Sequence, residues 1–158
     1  MKIITGKTSL VGLLGNPVEH SLSPIIHNSA LEALGLDWTY LAMPCEQKNL
    51  ARVTEALLNL NCKGLNITIP HKTNAFHLCS HLSESSKKIG AINTLIPKNG
   101  ESWLGENTDI LGFTQPLKFQ DWSNKNALVL GYGGSARAVI AGLEKLKFSE
   151  INIIGRNK

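Results

Sequence analysis

The sequence predicts an α/β fold in two parts: a mostly parallel α/β domain over residues 1–118 and, after a linker at 119–126, one strand–helix–strand unit over 127–158. Three observations carry this. Short apolar runs of strand length alternate with segments whose apolar residues recur every three or four positions, the order expected of a parallel sheet with covering helices. Gly and Pro fall mostly between these runs. A glycine-rich turn then joins a late strand pattern directly to a helical one.

Leu10 to Gly15 (LVGLLG) is apolar and ends in Gly-Asn-Pro, a buried strand followed by a turn. Ser23-Pro24 opens a helix, with Ser as its cap and Pro in its first turn; Ile26, Ala30 and Leu34 form its apolar stripe and Gly35 stops it. Trp38 to Met43 is the next strand. Leu50, Val53, Leu57 and Leu60 mark a second helix, and Gly64 to Ile69 a third strand. A helix is expected after Pro70 and a shorter one near Ser83–Lys88. Ile92–Pro97 and Ser102–Gly105 form a hairpin closed at Lys98-Asn99-Gly100, because Asn-Gly adopts the positive φ values of tight hairpin turns. Asp109 to Lys118 is expected to be helical, and the polar stretch Gln120 to Asn126 marks the boundary.

Composition excludes several classes. With 42 % hydrophobic and 18 % charged residues, the 158-residue chain reads as a soluble globular protein. Its net charge is +4, but Lys and Arg are scattered, so no nucleic-acid partner is expected. A mild positive balance suits an anionic small substrate or a phosphorylated cofactor. No run reaches the length of a membrane span and no signal-peptide pattern opens the chain, so no membrane partner and a cytoplasmic location are expected. Cys45, Cys62 and Cys79 are odd in number without CxxC spacing, and read as reduced, buried residues. His71, His77, Cys79 and His81 lack a zinc spacing; they read as a polar helix surface and its packing, with no metal.

Chemistry is concentrated at two places. Ala127 to Leu130 runs into Gly131-Tyr132-Gly133-Gly134-Ser135-Ala136 and then a helical pattern, with a further strand at Glu150 to Ile154. This is the dinucleotide-binding arrangement of a Rossmann-like domain: glycines allow the turn and the close approach of a pyrophosphate, and the helix N-terminus favours the anion. Where NAD-binding versions carry an acid for the ribose, this chain has Gly155-Arg156-Asn157-Lys158. Two cations and no acid favour NADP. The second place comprises Ser21-Leu-Ser23, Asn66-Ile-Thr68-Ile-Pro70-His-Lys72, Asn93-Thr94 and Asn107-Thr108-Asp109. Each cluster follows a strand or precedes a helix, where the ligand crevice of an open α/β sheet lies. Singly, Ser23 and Asp109 read as helix caps and Asn93 as a turn residue; together they offer hydroxyls, amides, an ammonium and a carboxylate to a polyhydroxylated acid.

Five segments resemble the shikimate dehydrogenases, in family order: Gly15 to Asn28, Leu65 to Lys72, Gly90 to Thr94, Gly105 to Asp109 and Leu130 to Arg137. The resemblance implies a shikimate-binding catalytic domain followed by an incomplete NADP-binding domain. It implies NADP-dependent interconversion of shikimate and 3-dehydroshikimate in aromatic amino-acid (chorismate) biosynthesis. Ser21 and Ser23 would bind the substrate carboxylate, Thr68, Asn93 and Asp109 the ring hydroxyls, and Lys72 with Asp109 would form the catalytic pair. Gly131, Tyr132, Gly133, Gly134, Ser135, Gly155, Arg156, Asn157 and Lys158 would bind the cofactor. Hydride leaves a secondary alcohol carbon only as the hydroxyl proton is removed, so an acid–base group is required. Lys72 can take that proton or stabilise oxyanion charge; either it or Asp109 can be the carrier. Two departures stand out: Gly155 replaces the family's Asn, and the sequence stops before the rest of the cofactor lobe and a later substrate-contacting Gln. Substrate binding without efficient turnover, and a homodimer through exposed strand edges, are therefore expected. A quinate/shikimate dehydrogenase and an inactive shikimate-binding chain are the alternatives.

Overall fold

The computed structural model describes residues 3–155. Strand β1 (Ser9–Gly15) pairs in parallel with β2 (Trp38–Pro44) on one side and β3 (Leu65–Ile67) on the other. Between them run helices α1 (Ser23–Ala33) and α2 (Leu50–Asn59). The remaining strands are β4 (His81–Leu82), β5 (Thr94–Lys98) and β6 (Ser102–Glu106), and the sheet order is β2-β1-β3-β5-β6-β4. Because β5 runs antiparallel to both β3 and β6, the sheet is mixed, and residue 93 at the start of β5 reaches the same edge as the ends of β3 and β6. The hairpin turn has Asn99 and Gly100 at φ 56° and 72°, as the Asn-Gly pair predicts.

Alternation along the strands splits the core. Leu14, Leu65, Ile67 and Leu95 face α2 and meet Leu50, Leu57 and Trp103. Burying each such side chain contributes about 1.5–3 kcal/mol. Leu13, Val18 and Tyr40 form a smaller cluster on the opposite face, joined by Leu31 of α1. Helix α3 (Glu84–Ile89) is capped by Ser83, whose hydroxyl accepts the Ser86 N–H, and ends at Gly90 in the left-handed region. Helix α4 (Asp109–Thr114) continues as one 3₁₀ turn to Leu117.

The second unit is β7 (Asn126–Leu130), α5 (Gly134–Lys145) and β8 (Glu150–Ile154), with the strands parallel. It docks through α5 on α3 and α4. Ile89 and Ala91 share a buried cluster with Ala138 and Ala141, and Gly142 lets the Phe113 ring approach: a Cβ there would come within 2.6 Å of it. Leu128, Leu130 and Ile154 on the other face of this sheet are 60 %, 77 % and 59 % exposed. No helix among the described residues is long and apolar enough to cross a membrane.

Four expectations need correction. The helix after Pro70 is instead a series of turns and a 3₁₀ segment at Ala75–Leu78. Its backbone is engaged elsewhere: the Lys72 carbonyl accepts the Ile92 N–H, and the buried His71 ring meets the Cys45 carbonyl. His71 is thus core, not polar surface. Ser23 does not cap α1; Leu22 occupies the cap position, and the Ser21 hydroxyl accepts the Ser23 N–H. Finally, Ile26 and Leu34 are exposed, because α1 packs through Leu31 and through Asn28, whose amide brackets the Tyr40 backbone.

Candidate functional site

Lys72, Asn93 and Asp109 converge at the shared edge of β3, β5 and β6. Lys72 Nζ donates to Asp109 Oδ2 at 2.6 Å, and Asn93 Nδ2 donates to Asp109 Oδ1 at 2.8 Å. Both carboxylate oxygens are therefore held. The Asp109 backbone is fixed as well, since its N–H donates to Oδ1 of the buried Asn107, whose amide group donates to the Ala91 carbonyl. Asn93 in turn uses its Oδ1 to accept from the Thr108 N–H and the Thr94 hydroxyl. Asp109 does not cap its helix, nor does Asn93 merely turn a strand: the side chains are aimed at each other and at Lys72. The side chains of Lys72 and Asp109 are 16 % and 31 % exposed, half-withdrawn from water but open on one side. Ammonium, carboxylate and amide within bonding distance can grip a hydroxyl and move its proton.

Ser21, Ser23 and Thr68 line a separate cleft of about 260 Å³ with His20, Pro17 and Val18. Ser21 lies in the turn after β1, Ser23 begins α1, and Thr68 follows β3, its N–H bonded to the Leu14 carbonyl. A polar chain links Tyr40, which sequence reasoning missed, to residues it had named. The Tyr40 hydroxyl donates to Asn66 Oδ1 at 2.7 Å, and the Asn66 amide reaches the Thr94 hydroxyl, which donates to Asn93. Burial pushes the Tyr40 phenol up to about 12, with a bond to Ser23 opposing it, so it stays a protonated donor. His27 stacks on its ring at 4.2 Å. Asn66 was visible as a polar residue inside an apolar strand; Tyr40 carried no signal separating it from an ordinary core aromatic.

The glycine turn fits an anionic cofactor. Gly131 has φ +107°, and Gly133 is the extended cap of the twelve-residue α5, which has no side-chain cap bond. A Cβ at Gly131 or Gly133 would meet nothing within 4 Å, so the loop borders open space that a phosphate can enter. Gly134 differs: a Cβ there would lie 2.8 Å from Lys72 Cβ. Ser135 Oγ accepts from Lys72 Nζ at 3.1 Å. A Cβ on Gly155 would run into the Tyr132 ring, which gives this Gly a packing reason. Arg156, Asn157 and Lys158 lie outside the described residues. His71, His77, Cys79 and His81 do not converge, and among the described residues no His, Cys, Asp and Glu cluster could hold a metal.

Comparison with known proteins places this geometry. Residues 13–95, just over half of the chain, match the family model of the shikimate dehydrogenase substrate binding domain. A shikimate dehydrogenase (NADP(+)) of Prochlorococcus marinus (strain MIT 9515) is 56 % identical over 155 residues, covering 98 % of this chain and 54 % of that protein. The crystal structure of shikimate dehydrogenase from Aquifex aeolicus superimposes with a TM-score of 0.91 at 37 % identity, over 99 % of this chain and 59 % of that one. That of shikimate 5-dehydrogenase from Thermus thermophilus, in complex with NADP(H) and shikimate, gives 0.84 at 34 % identity, over 94 % and 56 %. The chain thus spans about half the length of the curated relatives it matches. It belongs to the shikimate dehydrogenase substrate-binding domain family.

Proposed function

We propose that this chain is the shikimate-binding part of an NADP-dependent shikimate dehydrogenase, acting in the cytoplasm in chorismate and aromatic amino-acid synthesis, with residues 1–118 as its catalytic domain, 119–126 as a linker and 127–158 as the opening of its cofactor domain. The observation that carries the reading is the Lys72–Asp109–Asn93 constellation, with both Asp109 oxygens held. Ser21 and Ser23 meet the substrate carboxylate. Thr68, Asn93 and Asp109 take ring hydroxyls. Lys72 and Asp109 exchange the proton of the reacting hydroxyl, one of them bonding it while the other balances the charge.

NADP supplies the hydride acceptor when bound. Toward it, Gly131, whose own N–H is held by the Ile154 carbonyl, makes the turn that presents the amides of Gly133, Gly134 and Ser135 to the pyrophosphate, Tyr132 and Gly155 shape the adjoining wall, and Arg156, Asn157 and Lys158 serve the 2′-phosphate. These residues address one half of a dinucleotide. Hydride transfer needs reacting atoms held at roughly 3–3.5 Å, which takes a second mononucleotide unit. Residues 1–158 taken by themselves are proposed to bind shikimate without efficient turnover. A homodimer belongs to the same proposal, because each strand of the β7–β8 sheet has one outer edge unpaired among the described residues.

Thermal melts with millimolar shikimate test the reading, since a ligand specific to the native state raises the melting temperature. A rise with shikimate, alongside negligible NADP reduction by the purified chain, is expected. No rise at any concentration would defeat the assignment.

A further inference from the structure

Lys72 is held from two directions, and only one of them lies in its own domain. Asp109 Oδ2 takes one ammonium proton at 2.6 Å; Ser135 Oγ, in the first turn of α5, takes another at 3.1 Å. The aliphatic stem is confined as well. A Cβ at Gly134 would fall 2.8 Å from Lys72 Cβ and 3.4 Å from Cδ, so the stem lies directly across this glycine. Gly131 and Gly133, by contrast, face open space, as residues awaiting a phosphate do. One short turn therefore contains two kinds of glycine, and Gly134 has its room occupied by the chain itself.

We propose that Gly134 and Ser135 are positioning residues for Lys72, so that the glycine turn sets the acid–base lysine as well as receiving the cofactor. The inference rests on the reading of Lys72 given above. An ammonium has three donors. With one on Asp109 and one on Ser135, the third has no hydrogen-bond partner among the described residues and is left for a ligand. A lysine side chain held only by Asp109 would sample several rotamers. Alanine at 134 must displace Lys72 near its root, where the side chain cannot yield by swinging its tip. Alanine at 135 removes one bond and adds no bulk.

Amine-labelling of the purified chain with acetic anhydride, read per lysine by mass spectrometry, tests this without cofactor or turnover. Lys98 and Lys63 serve as internal references. Ser135→Ala is expected to raise the labelling rate of Lys72 about tenfold or more, the loss of one hydrogen bond to a charged group. Ser135→Thr, which keeps the hydroxyl, is expected to restore it, and Gly134→Ala to raise it further than Ser135→Ala. If Gly134→Ala accelerates every lysine, the chain has loosened globally and the Ser135→Ala and Ser135→Thr pair decides. An unchanged Lys72 rate in Ser135→Ala, or a raised rate that Ser135→Thr leaves raised, overturns the proposal. Parallel calorimetry with shikimate keeps the two readings apart. Absent shikimate binding with the expected labelling pattern strikes the substrate assignment alone, whereas normal binding with unchanged labelling strikes the positioning role alone.

Discussion

The six-stranded sheet has α1 on one face, α2 on the other and a core of its own, whereas the β7–β8 sheet has α5 on one face and bare apolar side chains on the other. Leu14, Leu65 and Ile92 are 0–2 % exposed in the first; Leu130 at the end of its strand is 77 % exposed in the second. The second unit buries Val129 and Leu143, and shares its Ala138 and Ala141 contacts across the seam with Ile89 and Ala91. The six-stranded unit is thus a folded platform, and the β7–α5–β8 unit leans on it through α5. The polar residues divide the same way: Asn93, Asp109 and Asn107 are tied together and to the backbone by hydrogen bonds, while Gly131 and Gly133 of the glycine turn border open space.

The strongest way to break this comparison is to cut both cores. Leu65→Ala should cost about 2–5 kcal/mol in urea unfolding, as a large-to-small change in a packed interior does. Leu130→Ala should change stability by no more than about 0.5 kcal/mol, as an exposed substitution does. Equal losses would mean that the second sheet is covered in solution. Next comes the seam. Gly142→Val forces carbon into the space of the Phe113 ring and should cost about 1–3 kcal/mol. It should also expose the α5 side of the seam to proteolysis while sparing the larger sheet.

Much of this division was legible in residues. LVGLLG, GLNITI and the Asn-Gly hairpin announced strands through apolar content and turn chemistry, and the glycine turn announced β7, α5 and β8. Asn93, Lys72 and Asp109 were legible as polar groups at element ends, and the structure brings them together. The segment after Pro70 was not legible, because the Lys72 carbonyl is taken by the distant Ile92 N–H, which local periodicity cannot register. The stripe Ile26, Ala30, Leu34 was legible as helix but not as exposed, since periodicity reports a face and never what covers it. The Lys72–Ser135 bond joins residues 63 apart, and nothing local to either foretells it.

A smaller effect sharpens the account of the platform. Burial pushes the Glu106 carboxyl up, but bonds from the Ser85 and Ser83 hydroxyls and the Asn107 amide outweigh that and hold it below the usual glutamate range. A depressed folded-state value means that the stabilisation is present above the unfolded value, about 4.3, and is lost as pH falls through the folded one. Wild type should therefore exceed Glu106→Gln in urea midpoint at pH 7, and the gap should close on acidification below pH ~4. A gap that persists at low pH would assign the bonds to geometry rather than charge.

On the proposed function, the platform carries a preassembled site in which the Asp109 carboxylate grips shikimate. Calorimetric titration of shikimate into the purified chain, beside its Asp109→Asn variant, tests it most directly. Asp109→Asn keeps the shape but gives up the charge-assisted bonds, so affinity should fall about tenfold or more. Equal affinity of the two proteins for shikimate would contradict the account.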